Sequence, residues 1–192
     1  MTILPIAKVH TESTKLMGLS MQELRTILLE SMKLKNLPRS GWVQNDIIDC
    51  ESVAAHSWGV AWLATVLCPP ELDAGKATQM AVLHDLAEVR IGDITPSDNV
   101  SKKEKYSLEY SAMTDILNQI PRSEHLLALW LDYEQQQTPE SIFVKSCDKL
   151  DMALQAQYYM LEQGKNLNEF LDSALKGIDD ETLSKLADAN RY

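Results

Sequence analysis

The sequence predicts an all-α fold, a single helical bundle with no significant sheet. Three observations carry that reading. Apolar residues recur at helical spacing through most of the chain. Several of these runs open on a serine, threonine or aspartate and close on glycine or proline. No stretch alternates apolar and polar residues as a half-buried strand does.

Residues 1–19 carry little pattern and read as a lead segment, so the domain is expected over 20–192. Ser20-Met21-Gln22-Glu23 is a capping box. It opens a helix from Met21 to about Lys35 with Leu24, Ile27, Leu28 and Met32 on its apolar side. Asn36 to Cys50, with Pro38 and Gly41, reads as a connection. A second helix runs from about Ser52 to Leu67 and stops at Pro69-Pro70. Asp73 can cap a third helix that reaches His84 and Asp85. Thr95 to Val100 is a polar loop, and Ser101-Lys102-Lys103-Glu104 is a second capping box for a helix to about Gln119. Beyond Pro121 a helix covers roughly Glu124 to Gln136. Pro139 stands at the first position of a long helix to Glu162, with Gly164 as its stop. Shorter helices follow near Leu167 to Lys176 and Asp180 to Ala189.

A chain of 192 residues with 45% hydrophobic composition can bury one sizeable core. No apolar run is long enough to span a bilayer, and the N-terminus lacks the basic and apolar regions of a signal peptide. Three cysteines without CxxC spacing suit a reducing cytoplasm. A net charge of −10 argues against a nucleic-acid polymer as partner, yet leaves room for a small anion beside a cation or an arginine.

The informative stretch is Ala81 to Pro96, AVLHDLAEVRIGDITP. Helical spacing sets His84 and Glu88 on one face with Asp85 beside them, and Asp93 follows the helix stop at Gly92. Apolar residues separate these polar groups, and burying an imidazole and several carboxylates requires a compensating partner. A divalent cation is the simplest one, whereas a helix end with a solvated acidic face is the plain alternative. His56, on a small and apolar helix, and Asp148, flanked by Lys145 and Lys149, are candidate distant ligands. Taken singly, they read as a core histidine and a salt-bridged surface acid. Asp151, one turn after Asp148, is a rival ligand. Trp58 and Trp62 read as core packing, Tyr158, Tyr159 and Met160 as helix packing, and His10 and His125 as local or solvated groups.

His56, then His84-Asp85, then Asp148, on three helices, resembles the signature of the HD-domain superfamily of metal-dependent phosphohydrolases. Arg39-Ser40-Gly41-Trp42, Glu51-Ser52-Val53, His84-Asp85-Leu86-Ala87-Glu88 and Gly92-Asp93-Ile94-Thr95-Pro96 narrow the resemblance to its 5'-deoxynucleotidase group. That group spans YfbR-type enzymes and HD-domain-containing protein 2, and Lys102-Lys103-Glu104-Lys105 and Phe143-Val144-Lys145 favour the second branch. The match covers about residues 20 to 165.

The resemblance implies that His56, His84, Asp85 and Asp148 hold a divalent ion: Mn, Co, Mg, Fe, Zn or Ni, a choice the residues leave open. It implies catalytic roles for Glu88 and Asp93, which with the Ile94 carbonyl also match a second ion site. Arg39 matches the phosphate anchor and Trp42 the residue against the nucleoside, although Ser40 and Gly41 separate here what is adjacent in YfbR-type enzymes. The implied reaction is hydrolysis of a deoxynucleoside 5'-monophosphate by a homodimer in the cytoplasm. Other HD-domain chemistries remain as alternatives: triphosphate, cyclic-nucleotide or alarmone hydrolysis, and di-iron oxygenation. A non-catalytic helical partner-binding module is the alternative outside enzymes.

Overall fold

A computed structural model describes residues 20–118 and 120–188. The expected lead over residues 1–19, His10 included, lies outside the described residues. In order, the helices are α1 (Met21–Ser31), α2 (Ser40–Gln44), α3 (Val53–Leu67), α4 (Ala74–Leu83), α5 (Glu88–Ile91), α6 (Lys102–Leu117), α7 (Ser123–Gln135), α8 (Pro139–Gln163), α9 (Asn168–Lys176) and α10 (Glu181–Asp188). Two 3₁₀ turns, Met32–Asn36 and Pro96–Asp98, complete the order. No strand occurs among the described residues; the one isolated bridge pairs Pro38 with Ser52.

Caps set most boundaries. Ser20 and Glu23 form the reciprocal box, Asp73 accepts from Lys76 N, and Ser101 accepts from Glu104 N. Thr138, ahead of Pro139, accepts from Ser141 N. Asp180 accepts from Leu183 N at 2.8 Å, which gives that late acid its role.

Helices α3, α4 and α8 form the centre. Ala61 and Ala64 on α3, Ala77 and Ala81 on α4, and Ala153 and Ala156 on α8 are all buried. Their small side chains let the three backbones approach, and Val60, Met80, Val144 and Leu150 fill the space between them. Helices α9 and α10 close one end of this core through Leu171, Ala174 and Leu183. A second apolar cluster, with Ala87, Ala112, Met113, Leu117 and Trp130, joins α6 and α7 to the chain after α4. The polar stretch 84–93 runs between the two.

The structure corrects the sequence reading at three places. The third helix does not continue through Glu88. It ends at Leu83, and Leu86 N, Glu88 N, Val89 N and Arg90 N bond three residues back, to Leu83, Asp85, Leu86 and Ala87. This tighter winding sets residues three apart above one another, so Glu88 stands over Asp85. The connection 36–50 contains a five-residue helix, α2. Trp58 and Trp62 are not core: they are 70% and 54% exposed and stack in parallel with ring centroids 6.5 Å apart. Tyr158 is exposed as well, whereas its neighbour Tyr159 is buried.

Candidate metal and phosphate site

The site forms where α3, the end of α4 and α8 meet. His56 lies one turn into α3 and is buried. Its Nδ1–H donates to Asp151 Oδ2 at 2.7 Å. His84, the residue that ends α4, donates its Nδ1–H to Ala81 O at 2.7 Å. A carboxylate and a carbonyl can only accept, so both imidazoles carry hydrogen on Nδ1 and present Nε2. The two Nε2 atoms face each other at 3.3 Å.

Two carboxylates stand beside these nitrogens, Asp85 near both and Asp148 near His56. Asp85 Oδ2 is 3.1 Å from His84 Nε2 and 3.6 Å from His56 Nε2. Asp148 Oδ1 is 3.4 Å from His56 Nε2. The lysines flanking Asp148 both take its other oxygen: Lys145 Nζ lies 3.2 Å and Lys149 Nζ 3.4 Å from Oδ2. Tyr133 OH donates to that oxygen at 3.1 Å and accepts from Lys145 Nζ at 2.9 Å. The salt-bridged acid and the inward-facing carboxylate are therefore one buried side chain, not a surface group, divided by oxygen atom. The rival, Asp151, stands on the Nδ1 side of His56 and orients the ring.

His56, His84 and Asp85 can offer ligand atoms within 4.8 Å of one another, and Asp148 adds its oxygen from the His56 side. A second grouping, Glu51, His56 and Asp151, would use Nδ1, which the Asp151 hydrogen bond occupies. Burial pushes the His56 imidazolium down, and Arg39 adds to this. Hydrogen bonds and charge from Asp148 and Asp151 more than reverse it, to about 9. Asp85 is held far below the usual carboxylate range: His84, His56 and Arg39 overcome the opposing effect of burial. A proton on His56 Nε2 supplies positive charge beside the two ionised carboxylates, and a divalent cation in its place would meet two imidazole nitrogens and both carboxylates. That donor set fits a divalent cation.

Arg39 reaches the site from the N-terminus of α2. Arg39 N donates to Glu51 O and Val53 N to Leu37 O, so the chain before α2 is stitched to the start of α3. Arg39 Nε lies 3.2 Å from Asp93 Oδ2 and Nη1 3.6 Å from Asp85 Oδ2. Ser40 N donates to the same Asp93 oxygen at 2.8 Å. Arg39 Nη1 and Glu88 Oε2 are buried without a hydrogen-bond partner among the described residues, Nη1 having the 3.6 Å ion pair to Asp85. Burial raises the Glu88 carboxyl well above the carboxylate range, and Asp85 and Asp93 push the same way. The Ile94 carbonyl accepts from Lys105 Nζ at 3.1 Å.

These groups line one wall of a cavity of about 510 Å³, within the range of small-molecule sites. Arg39, Asp85, Glu88, Asp93, Ile94 and Asp148 all border it. His56 and His84 lie beneath its floor, and Trp42 is set apart from it. Trp42 is 2% exposed, donates Nε1–H to Glu51 Oε1 at 2.9 Å and stacks on Phe170. Sequence reasoning passed over Tyr133, Lys145 and Phe170. Lys145 was within reach as the residue one turn before Asp148; Tyr133 and Phe170 carry no local signal. His125 Nε2 pairs with Gln79 Oε1 at 3.3 Å and does not border this cavity.

Comparison with known proteins agrees with this geometry. The HD domain family matches residues 31–189. The human protein named 5'-deoxynucleotidase HDDC2 is 38% identical over 145 residues, 73% of this chain and 71% of its own length. The fission-yeast 5'-deoxynucleotidase hdd1 is also 38% identical, over 72% of this chain and 74% of its own. Among solved structures, the PH0347 protein from Pyrococcus horikoshii superposes with a TM-score of 0.72 at 34% identity, covering 86% of this chain and 94% of that one. The convergent histidines and aspartates, the helical frame and these relatives lead to one conclusion: the chain belongs to the HD-domain family, in the branch that includes the HDDC2 proteins.

Proposed function

We propose that this chain is a metal-dependent 5'-deoxynucleotidase, which hydrolyses a deoxyribonucleoside 5'-monophosphate to the deoxynucleoside and phosphate. The observation that carries the reading is the approach of two Nε2 atoms and the Asp85 and Asp148 carboxylates beside a buried guanidinium whose Nη1 makes no hydrogen bond. His56, His84, Asp85 and Asp148 are the residues to hold the ion, with Mn or Co as the first ions to test. When bound, the cation would supply Lewis-acid stabilisation of phosphoryl charge and a lowered pKa for water.

The protein's own groups do the rest. Arg39 grips the phosphate through Nη1, a planar donor that lysine cannot replace. Asp93 fixes that guanidinium by accepting from Arg39 Nε and from Ser40 N. Glu88, raised by burial and by its acidic neighbours, keeps a proton near neutral pH. It is placed to deliver that proton to the departing 5'-oxygen. Asp93 is the second acid of this pair and orients water. A second ion shared by Glu88, Asp93 and the Ile94 carbonyl would require the Lys105 ammonium to leave that carbonyl. Trp42 acts from the interior by holding α2 against Glu51 and Phe170.

The relatives' names support the substrate class. No helix among the described residues is long and apolar enough to cross a membrane. The three cysteines are free thiols, in keeping with a cytoplasmic setting. The reading includes a homodimer, docked through the stripe Trp58, Trp62 and Val66 that α3 exposes. The test is phosphate release from dAMP, dCMP and dUMP by purified protein with Mn²⁺ or Co²⁺. Turnover of these and not of dATP or a cyclic nucleotide is expected; no release from any monophosphate would refute the reading.

A further inference from the structure

We propose that Phe170, on α9, is the surface on which the nucleoside base stacks. The proposal rests on the nucleotide reading above and assigns the part of the cavity that reading leaves open. Charged groups border the cavity: Arg39, Asp85, Glu88, Asp93 and Asp148, with Lys149 and Glu169. Gly41, Met152 and Phe170 border it too. A nucleotide offers a partner to each kind of group, a dianionic phosphate and a flat apolar ring with polar edges.

Phe170 is half-buried and its ring lies on the Trp42 indole, with centroids 4.4 Å apart and planes 30° apart. Of this stacked pair only Phe170 borders the cavity. Trp42 is locked behind it by Glu51 and, edge-on, by Tyr159 at 5.4 Å. The result is an aromatic pair whose outer member, Phe170, borders the cavity and can stack on another ring. Gly41 makes room for it: a Cβ at that position would meet the Phe170 ring at 3.2 Å. Helix α2 runs from the charged groups toward Phe170, since Arg39 caps it and Gly41, against the Phe170 ring, follows. Its length, about 7 Å at 1.5 Å per residue, is of the order of the reach from the phosphate of a nucleotide to its base.

The test uses the full chain loaded with Co²⁺ and two ligands that cannot be hydrolysed, the phosphonate analogue of dAMP and the matching phosphonate without a base. Calorimetry gives the ratio of their dissociation constants for wild type, Phe170→Leu and Phe170→Tyr. Leucine keeps apolar bulk against Trp42 but has no π-face. The preference for the base-containing analogue should fall about tenfold in Phe170→Leu and be retained in Phe170→Tyr. An unchanged ratio in Phe170→Leu, an equal fall in Phe170→Tyr, or no binding of either analogue by wild type would overturn the proposal. Phosphate release from dAMP is scored separately. A Phe170-dependent ratio without release would retire the hydrolase reading and leave the stacking intact, while release with an unchanged ratio would do the reverse.

Discussion

Both site histidines present Nε2 because an acceptor already holds each Nδ1–H. For His84 that acceptor is the Ala81 carbonyl, which no side-chain change removes; for His56 it is Asp151. The difference is testable. Asp151→Asn can still meet the ring, but without a charge and with two tautomers open to His56. Its metal affinity should fall by about 10- to 100-fold with an unchanged far-ultraviolet circular dichroism spectrum, as expected for an orienting carboxylate. A second test at this scale concerns pH. Burial, with Glu134 and Asp85 nearby, raises Glu109 to about 7 against the opposing pull of Lys105. Its unfolded value is near 4.5, so the folded state binds more protons between the two. The Glu109 contribution to stability therefore falls as pH rises through that window. Glu109→Gln should flatten that decline and stabilise the protein at pH 8 by about 1 kcal/mol after solvent screening, roughly 2–4 °C in melting temperature. Thermal melts at pH 5 and pH 8 read it directly.

At the scale of elements, the site depends on how closely α3 and α8 approach. Gly59 is the contact point: a Cβ there would collide with the Asp151 carboxylate. Gly59→Ala should push that carboxylate off His56 and weaken metal binding about tenfold, by the same route as Asp151→Asn. Dialysis followed by elemental analysis checks it. If Gly59→Ala unfolds the protein instead, α3 and α8 pack too rigidly there to yield at one side chain.

How far the sequence could be read also divides by element. The long helices α3, α6 and α8 were legible because each opens on a capping side chain, and α7 because Pro121 sets it off from α6. Helix α2 was not, since Asp93, 53 residues away, holds its first turn. The break after Leu83 was hidden because His84, Asp85 and Glu88 suit a continuing helix, and the alternative is set by packing between two cores. The residue types of the metal site were legible as a pattern. Which oxygen of Asp148 faces inward, and that Asp151 stands behind His56, follow from how α8 lies across α3. Trp58 and Trp62 were misread because apolar character does not say which face of a buried-looking helix is left uncovered.

At the scale of the molecule, the chain after α4 serves both an apolar cluster, through Leu86, Ala87 and Ile91, and the cavity, through Asp85, Glu88 and Asp93. The stripe Trp58, Trp62 and Val66 lies on α3. If it seats a second copy, Trp62→Glu should convert a dimer to a monomer in light scattering while the metal content stays the same. A wild-type monomer would remove the dimer from the reading and leave the site as it is.

The central claim is that His56, His84, Asp85 and Asp148 hold one cation in common. Equilibrium dialysis against Co²⁺, with the visible spectrum recorded, tests it most directly on wild type and His84→Ala. The account predicts a tight ion in wild type, with a ligand-field spectrum that includes imidazole, and a loss of affinity in His84→Ala larger than the roughly 100-fold of an outer change. Equal cobalt content and an identical spectrum in His84→Ala would contradict it.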